Sequence, residues 1–136
     1  MPLLKLFSMN DFEVSVGVVV RGNRVLLIQN NMKNGLINWQ FPAGKLIYNE
    51  TPKNAAVREV YEETLIKSEA KEYLGYRKHP ITGILIHYFI CLYVSGKEKA
   101  RDSREVKTLK WVNPQDLKAY IPENMYPEIS QYFNIE

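Results

Sequence analysis

The stretch from Thr51 to Leu65 constrains the fold more than any other part of the chain. Thr51 is a good N-cap, and Pro52 fits the first helical position, where a missing N–H costs nothing. The spacing predicts a helix running to about Leu65. At 100° per residue, Glu62, Glu59 and Glu63 fall at roughly −60°, 0° and +40° around its axis, with Ala55 beside them. Three carboxylates on one stripe repel each other at i,i+3 and i,i+4 and weaken a bare helix. Such a stripe either is an ordinary solvated face or holds something positive, and hard oxygen ligands of this kind suit Mg²⁺ or Mn²⁺. Val57, Val60 and Tyr61, with Thr64 among them, are expected on the opposite side, packed against a sheet.

Strand signals surround this helix. Phe12 to Val20 and Arg24 to Gln29 are β-branched and aliphatic runs separated by the turn residues Arg21-Gly22-Asn23, so a hairpin is predicted. Residues 30 to 38 read as a loop, Trp39 to Pro42 as a short strand stopped by proline, and Ala43-Gly44-Lys45 as part of a glycine loop. Ala70 to Arg77, Ile84 to Val94 and Val106 to Val112 read as further strands, the second of them apolar enough to be central. Pro114 to Tyr120 and Met125 to Phe133 read as helices. This order predicts one α/β (α+β) domain over residues 1–136, with a mixed sheet between helices.

Charge and composition narrow the partners. A net charge of +3, spread over several segments without a polybasic block, fits a small anionic ligand and gives no sign of stable nucleic-acid or membrane-surface binding. No apolar run is long enough to span a bilayer. The N-terminal MPLLKLFSMNDFE has an acidic follow-on and no cleavage signal, so it does not read as a signal peptide and a cytoplasmic setting is expected. Cys91, the only cysteine, lies in the run FICLYV and reads as a buried structural thiol.

The wider pattern around the glutamates is more specific than the stripe. Gly44, Glu50, Arg58, Glu59, Glu62 and Glu63 stand at fixed spacing, followed by Ile66, a coincidence of order 10⁻⁵ over a chain of this length. The run from 44 to 66 resembles the Nudix box, G-x5-E-x7-R-E-U-x-E-E-x-G-U with U aliphatic. It departs at one position, where Leu65 stands for the second glycine. The resemblance is strongest over residues 39 to 66 and implies the Nudix α/β/α sandwich with a catalytic loop-helix-loop. It also implies divalent-metal-dependent hydrolysis of a diphosphate bond in a nucleoside diphosphate-linked substrate, such as a nucleoside triphosphate or nucleotide sugar. A homodimer is compatible with it. A nucleotide-binding module or an isomerase on the same fold stays open beside the hydrolase, because fold does not fix function.

The resemblance assigns roles residue by residue. Glu62 and Glu63 would hold metal, and Glu59 would either complete the metal shell or orient and deprotonate the water. The Ala43 carbonyl matches a metal-ligating position, which an alanine of negative φ can fill. Gly44 is expected to serve a tight turn and a close backbone approach. Arg58 and Glu50 are expected to form a bidentate pair tying loop to helix and keeping Arg58 from neutralising the metal site, with an Arg58–Glu62 pair as the alternative. Glu105, ahead of Asp102, is the candidate acid of the late segment. Lys45, Arg77, Tyr126 and Glu128 are candidate substrate contacts, whereas His79 and His87 read as structural or surface residues. Leu65 is expected to change how the helix ends, letting it run on toward Lys67-Ser68.

Overall fold

Val18 and Val19 are consecutive in strand β1 (Glu13–Arg21), and neither has exposed surface. Consecutive strand side chains point to opposite faces, so β1 is covered on both sides and must lie inside a layered fold. The computed structural model describes residues 12–31, 37–97 and 106–136. Among them, β1 is followed by β2 (Arg24–Asn31), β3 (Ile37–Gln40), β4 (Ala43–Lys45), α1 (Pro52–Thr64), β5 (Lys67–Lys78), β6 (Leu85–Ser95) and β7 (Val106–Val112). A single 3₁₀ turn (Pro114–Asp116), α2 (Leu117–Tyr120) and α3 (Pro127–Phe133) close the chain.

The strands form one mixed sheet ordered β3-β2-β1-β6-β5, with β4 paired to β1 and β7 to β2. β1 and β6 run parallel, from Glu13↔Leu85 to Val20↔Leu92, and the other pairs are antiparallel. The β1–β2 hairpin turns through Gly22 at φ +60°, a conformation that glycine adopts freely.

Alternation along the strands builds two cores. Val18, Leu27, Tyr88 and Ile90 face Leu117 of α2 and Ile129 of α3, whereas Val19, Leu26, Phe89 and Cys91 face Ala56 and Val60 of α1. The sheet is therefore sandwiched between α1 and the C-terminal helices, as the sequence led us to expect. Among the described residues, no helix is long and apolar enough to cross a membrane.

Four local expectations change. Ala43–Lys45 is a strand, because its backbone pairs with Val14, Ser15 and Val16. β5 begins at Lys67, earlier than the apolar pattern suggests, since Ile66 is fully buried and delivers the chain directly to the sheet edge. The 114–120 segment splits into a 3₁₀ turn and one α turn. Finally, α1 does not run on past Leu65. Leu65 itself takes the left-handed cap, at φ 64° and ψ 14°, and its N–H donates to the Tyr61 carbonyl. Thr64 Oγ1 donates to the Val60 carbonyl at 2.6 Å and accepts from Ile66 N at 3.1 Å, which fixes this turn from both sides.

Candidate active site

The buried face of α1 is Ala55, Ala56, Val60 and Thr64. Measured around the axis, this face is centred about 60° from Glu59, so Glu59 and Glu63 share it and Tyr61, 40% exposed, lies outside. The expectation that the glutamates face away from the packed side is thus corrected. Their polar ends are received by β4, which a residue-by-residue hydropathy pattern cannot anticipate.

Two contacts hang the helix at this angle. Thr51 caps it, accepting from Asn54 N at 3.1 Å, and Ser15 Oγ on β1 donates to the Pro52 carbonyl at 2.7 Å. Gly44 sits beside Ser15 in the sheet, and a Cβ placed on it would fall 2.1 Å from Glu59 Cδ. The glycine is needed for space: the Glu59 carboxylate lies directly over its backbone. Gly44 belongs to a strand and not to the tight turn expected of it. One residue earlier, Ala43 N donates to Glu63 Oε1 at 3.0 Å, and Ala43 has no positive φ.

Arg58 joins the remaining acids. Nε donates to Glu50 Oε2 at 2.7 Å and Nη2 to Glu50 Oε1 at 2.9 Å, a bidentate pair. Nη2 also donates to the Lys45 carbonyl at 2.9 Å, and Glu50 Oε1 accepts from Ile47 N, so the 45–50 loop is pinned to the helix. The same guanidinium goes further than a loop tie, because Nη1 donates to Glu59 Oε1 at 2.7 Å and to Glu62 Oε1 at 2.8 Å. The expected separation of Arg58 from the carboxylate face is therefore not observed: the bidentate pair with Glu50 and the i,i+4 pair with Glu62 coexist. Burial pushes the Glu59 carboxyl up, against the pull of Arg58, while the Arg58 hydrogen bonds hold Glu50 below its usual range. The Arg58 guanidinium is itself raised, chiefly by Glu50.

One guanidinium facing three contacted carboxylates leaves surplus negative charge. That surplus, the oxygen-only donor set, and the convergence of Glu59 and Glu62 on one positive atom all fit a hard divalent cation. In their present rotamers the side chains bond Arg58, and no three acidic, histidine or cysteine groups among the described residues are already gathered as a cage. Glu62 is the adaptable member, with its side chain 52% exposed.

Other sequence candidates lie elsewhere. The Lys45 ammonium rests over the Phe12 ring at 4.1 Å. Arg77 donates to the Tyr88 hydroxyl at 3.2 Å and to the Asn124 carbonyl, and Tyr88 stacks on Tyr126 with centroids 4.3 Å apart. Tyr126 is only 5% exposed, and its hydroxyl, pushed up to about 12 by burial and then by neighbouring Glu128, donates to the Leu74 carbonyl at 3.4 Å. Arg77, Tyr126 and Glu128 thus belong to the packing of the C-terminal helices, across the sheet from α1. His79 Nδ1 accepts from Ile81 N and Thr82 N in a turn. Glu105 and Asp102 lie outside the described residues, as do residues 32–36; of the segment 30–38 expected as a loop, residues 30–31 and 37–38 instead belong to β2 and β3, paired with each other. Sequence reasoning missed Ser15, whose small polar side chain at a fully buried strand position was the available signal.

Comparison with known proteins identifies relatives of the whole domain. The family model described as NUDIX domain matches residues 11–132. A MutT-like protein of Streptomyces ambofaciens is 36% identical over 107 residues, covering 79% of this chain and 67% of that protein. A CTP pyrophosphohydrolase of Escherichia coli is 26% identical over 113 residues, covering 82% of this chain and 83% of its own length. Among solved structures, a NUDIX hydrolase from Nitrosomonas europaea superposes with a TM-score of 0.76 at 19% identity, over 94% of this chain and 73% of that one, a likeness of fold.

Proposed function

The chain belongs to the NUDIX domain family, and from that membership we propose that it hydrolyses a diphosphate bond in a nucleotide-type substrate, such as a nucleoside triphosphate or nucleotide sugar. The observation that carries this reading is the meeting of Glu59 and Glu62 on one Arg58 nitrogen, with Glu63 alongside on α1 and bonded to Ala43 N of β4. Glu59, Glu62, Glu63 and the Ala43 carbonyl would hold Mg²⁺ or Mn²⁺. Such a cation would supply charge neutralisation for the diphosphate.

The chain's own residues supply the rest. Glu59, half-buried and raised by desolvation, is suited to accept a proton from an attacking water. Gly44 lets that carboxylate sit against β4, and Ala43 N fixes Glu63. Arg58 and Glu50 keep the 45–50 loop in register with the helix, so the carboxylates are placed before substrate arrives. Glu105 enters the proposal from the sequence alone, as an acid that would join the cation or the water.

A panel of nucleoside triphosphates, nucleotide sugars and dinucleoside polyphosphates, assayed with Mg²⁺ and with Mn²⁺ for released phosphate or pyrophosphate, tests the reading. Glu63→Gln keeps an amide oxygen for Ala43 N and removes the charge. It should abolish turnover while leaving thermal unfolding nearly unchanged, and full retained activity would sink the assignment.

A further inference from the structure

On the α1 face of the sheet, beyond the helix, lies a group of side chains that the carboxylate site does not use. Tyr73 and Tyr76 on β5 are 49% and 62% exposed, and their ring centroids each lie 6.0 Å from the His87 ring on β6. In a regular strand, residues three apart point to opposite faces. Here a bulge intervenes: Tyr73 pairs with Phe89, Gly75 with Tyr88 and Tyr76 with His87, so one register step is skipped. Gly75, at φ +116°, makes the bulge possible. A Cβ on it would also meet the Tyr126 hydroxyl at 2.6 Å. The result is a shallow tray with two exposed phenol rings and an imidazole between them. Buried Phe89 backs Tyr73 at 4.9 Å.

The polar rim of the tray is defined. His87 Nε2 lies 2.6 Å from Glu13 Oε1, and Nδ1 lies 2.9 Å from the Tyr73 hydroxyl. A carboxylate only accepts, so Nε2 donates to Glu13; in the neutral ring with that tautomer, Nδ1 accepts from the Tyr73 hydroxyl. What the rim then offers a ligand is the Glu13 carboxylate and the Tyr73 oxygen, both acceptors. Gly44, Ser15, His87 and Tyr76 are successive neighbours across four strands, and the start of α1 crosses this row where Ser15 bonds Pro52. The tray is thus separated from the Glu59 cradle by the helix.

We propose that Tyr73, Tyr76 and His87 form a second ligand site that stacks a nucleobase, with the Glu13–His87–Tyr73 rim favouring bases that carry an amino group. Stacking on exposed aromatic side chains tolerates any base, because every base has a π face. The acceptor rim adds preference for adenine, cytosine or guanine over uracil, whose only ring-edge donor among its base-pairing groups is a single N–H. This site stands apart from the proposed hydrolysis and does not depend on it.

The chain has only two histidines, so the His87 ring protons can be followed directly by NMR, with His79→Gln to assign them. Titration with AMP or CMP, without divalent cation, should move the His87 signals saturably, whereas ribose 5-phosphate should not. Tyr76→Ser, at an exposed position, should weaken AMP at least about fivefold with thermal unfolding unchanged. Tyr73→Phe keeps the ring and should lessen the preference for AMP over UMP, and Tyr73→Phe combined with Glu13→Gln should lessen it further. Tighter binding of a short oligoadenylate than of AMP would assign the tray to a strand, and equal binding to free nucleotides. A His87 signal unmoved by AMP and CMP, an equal response to ribose 5-phosphate, or unaltered AMP binding in Tyr76→Ser would overturn the proposal.

Discussion

The carboxylate of Glu59 occupies the space that a side chain at Gly44 would fill, with only 2.1 Å between Glu59 Cδ and a Cβ built there. Gly44→Ala therefore forces the end of a flexible side chain off the β4 backbone without touching either core. We expect unfolding free energy to fall by no more than about 2 kcal/mol, at the mild end for overpacking. Turnover should drop at least about tenfold. Thermal unfolding and steady-state kinetics on the same preparation check this, and an alanine variant of normal activity would refute the cradle.

Arg58→Lys keeps the charge and loses the fork. A lysine cannot give parallel bonds to both Glu50 oxygens while also reaching the Lys45 carbonyl, Glu59 and Glu62. With the Arg58 side chain about one quarter exposed (23%), the stability loss should be modest, about 1 kcal/mol. Limited proteolysis should show the 45–50 loop opening before the rest of the protein unfolds. A loop as resistant as the parent's would count against the tie.

Leu65→Gly should be neutral or stabilising. The left-handed cap costs leucine roughly 1 kcal/mol that glycine avoids, partly offset by the greater freedom of glycine in the unfolded chain. A rise in Tm of up to several degrees with unchanged turnover is expected. A fall of several degrees would show that Leu65 contributes packing that outweighs its backbone strain.

Cys91 has no exposed surface, and burial pushes its thiol up to about 11. Thiolate is the reactive form, so at neutral pH the folded protein should react with a disulfide reagent far more slowly than an exposed cysteine does. One equivalent should react promptly in denaturant. Prompt reaction of the native protein would mean that β6 opens readily.

What the sequence made legible follows physical rules with short range. The β1–β2 hairpin, the Thr51-Pro52 helix start and the centrality of β6 were each readable from local turn chemistry, capping or apolar runs. The six polar and glycine positions from Gly44 to Glu63 were readable because their spacing is rigid. Strand β4 was not, since three residues become a strand only through pairing with Val14, Ser15 and Val16. Nor was the true face of α1: Glu59 and Glu63 are polar yet half turned into the fold, which hydropathy assigns to solvent. The joint placement of Tyr73 and Tyr76 was hidden by a bulge that reverses the alternation rule. For the substrate candidates, the sequence offered only polar ends; the contacts of Arg77 and Tyr126 with Tyr88 come from strand pairing and packing that no local pattern shows.

The parallel pairing of β1 with β6 has a consequence for how the chain reaches its fold. Glu13 meets Leu85 and Val20 meets Leu92, so the middle of the sheet joins segments some seventy positions apart. During synthesis β1 has only its hairpin partner and β4 to pair with until β6 emerges, and both cores stay open until then. Pairings of such long sequence separation close slowly, on the order of milliseconds to seconds. The rate-limiting event in refolding should therefore be the docking of β6 against β1, with the β1–β2 hairpin and α1 waiting on either side.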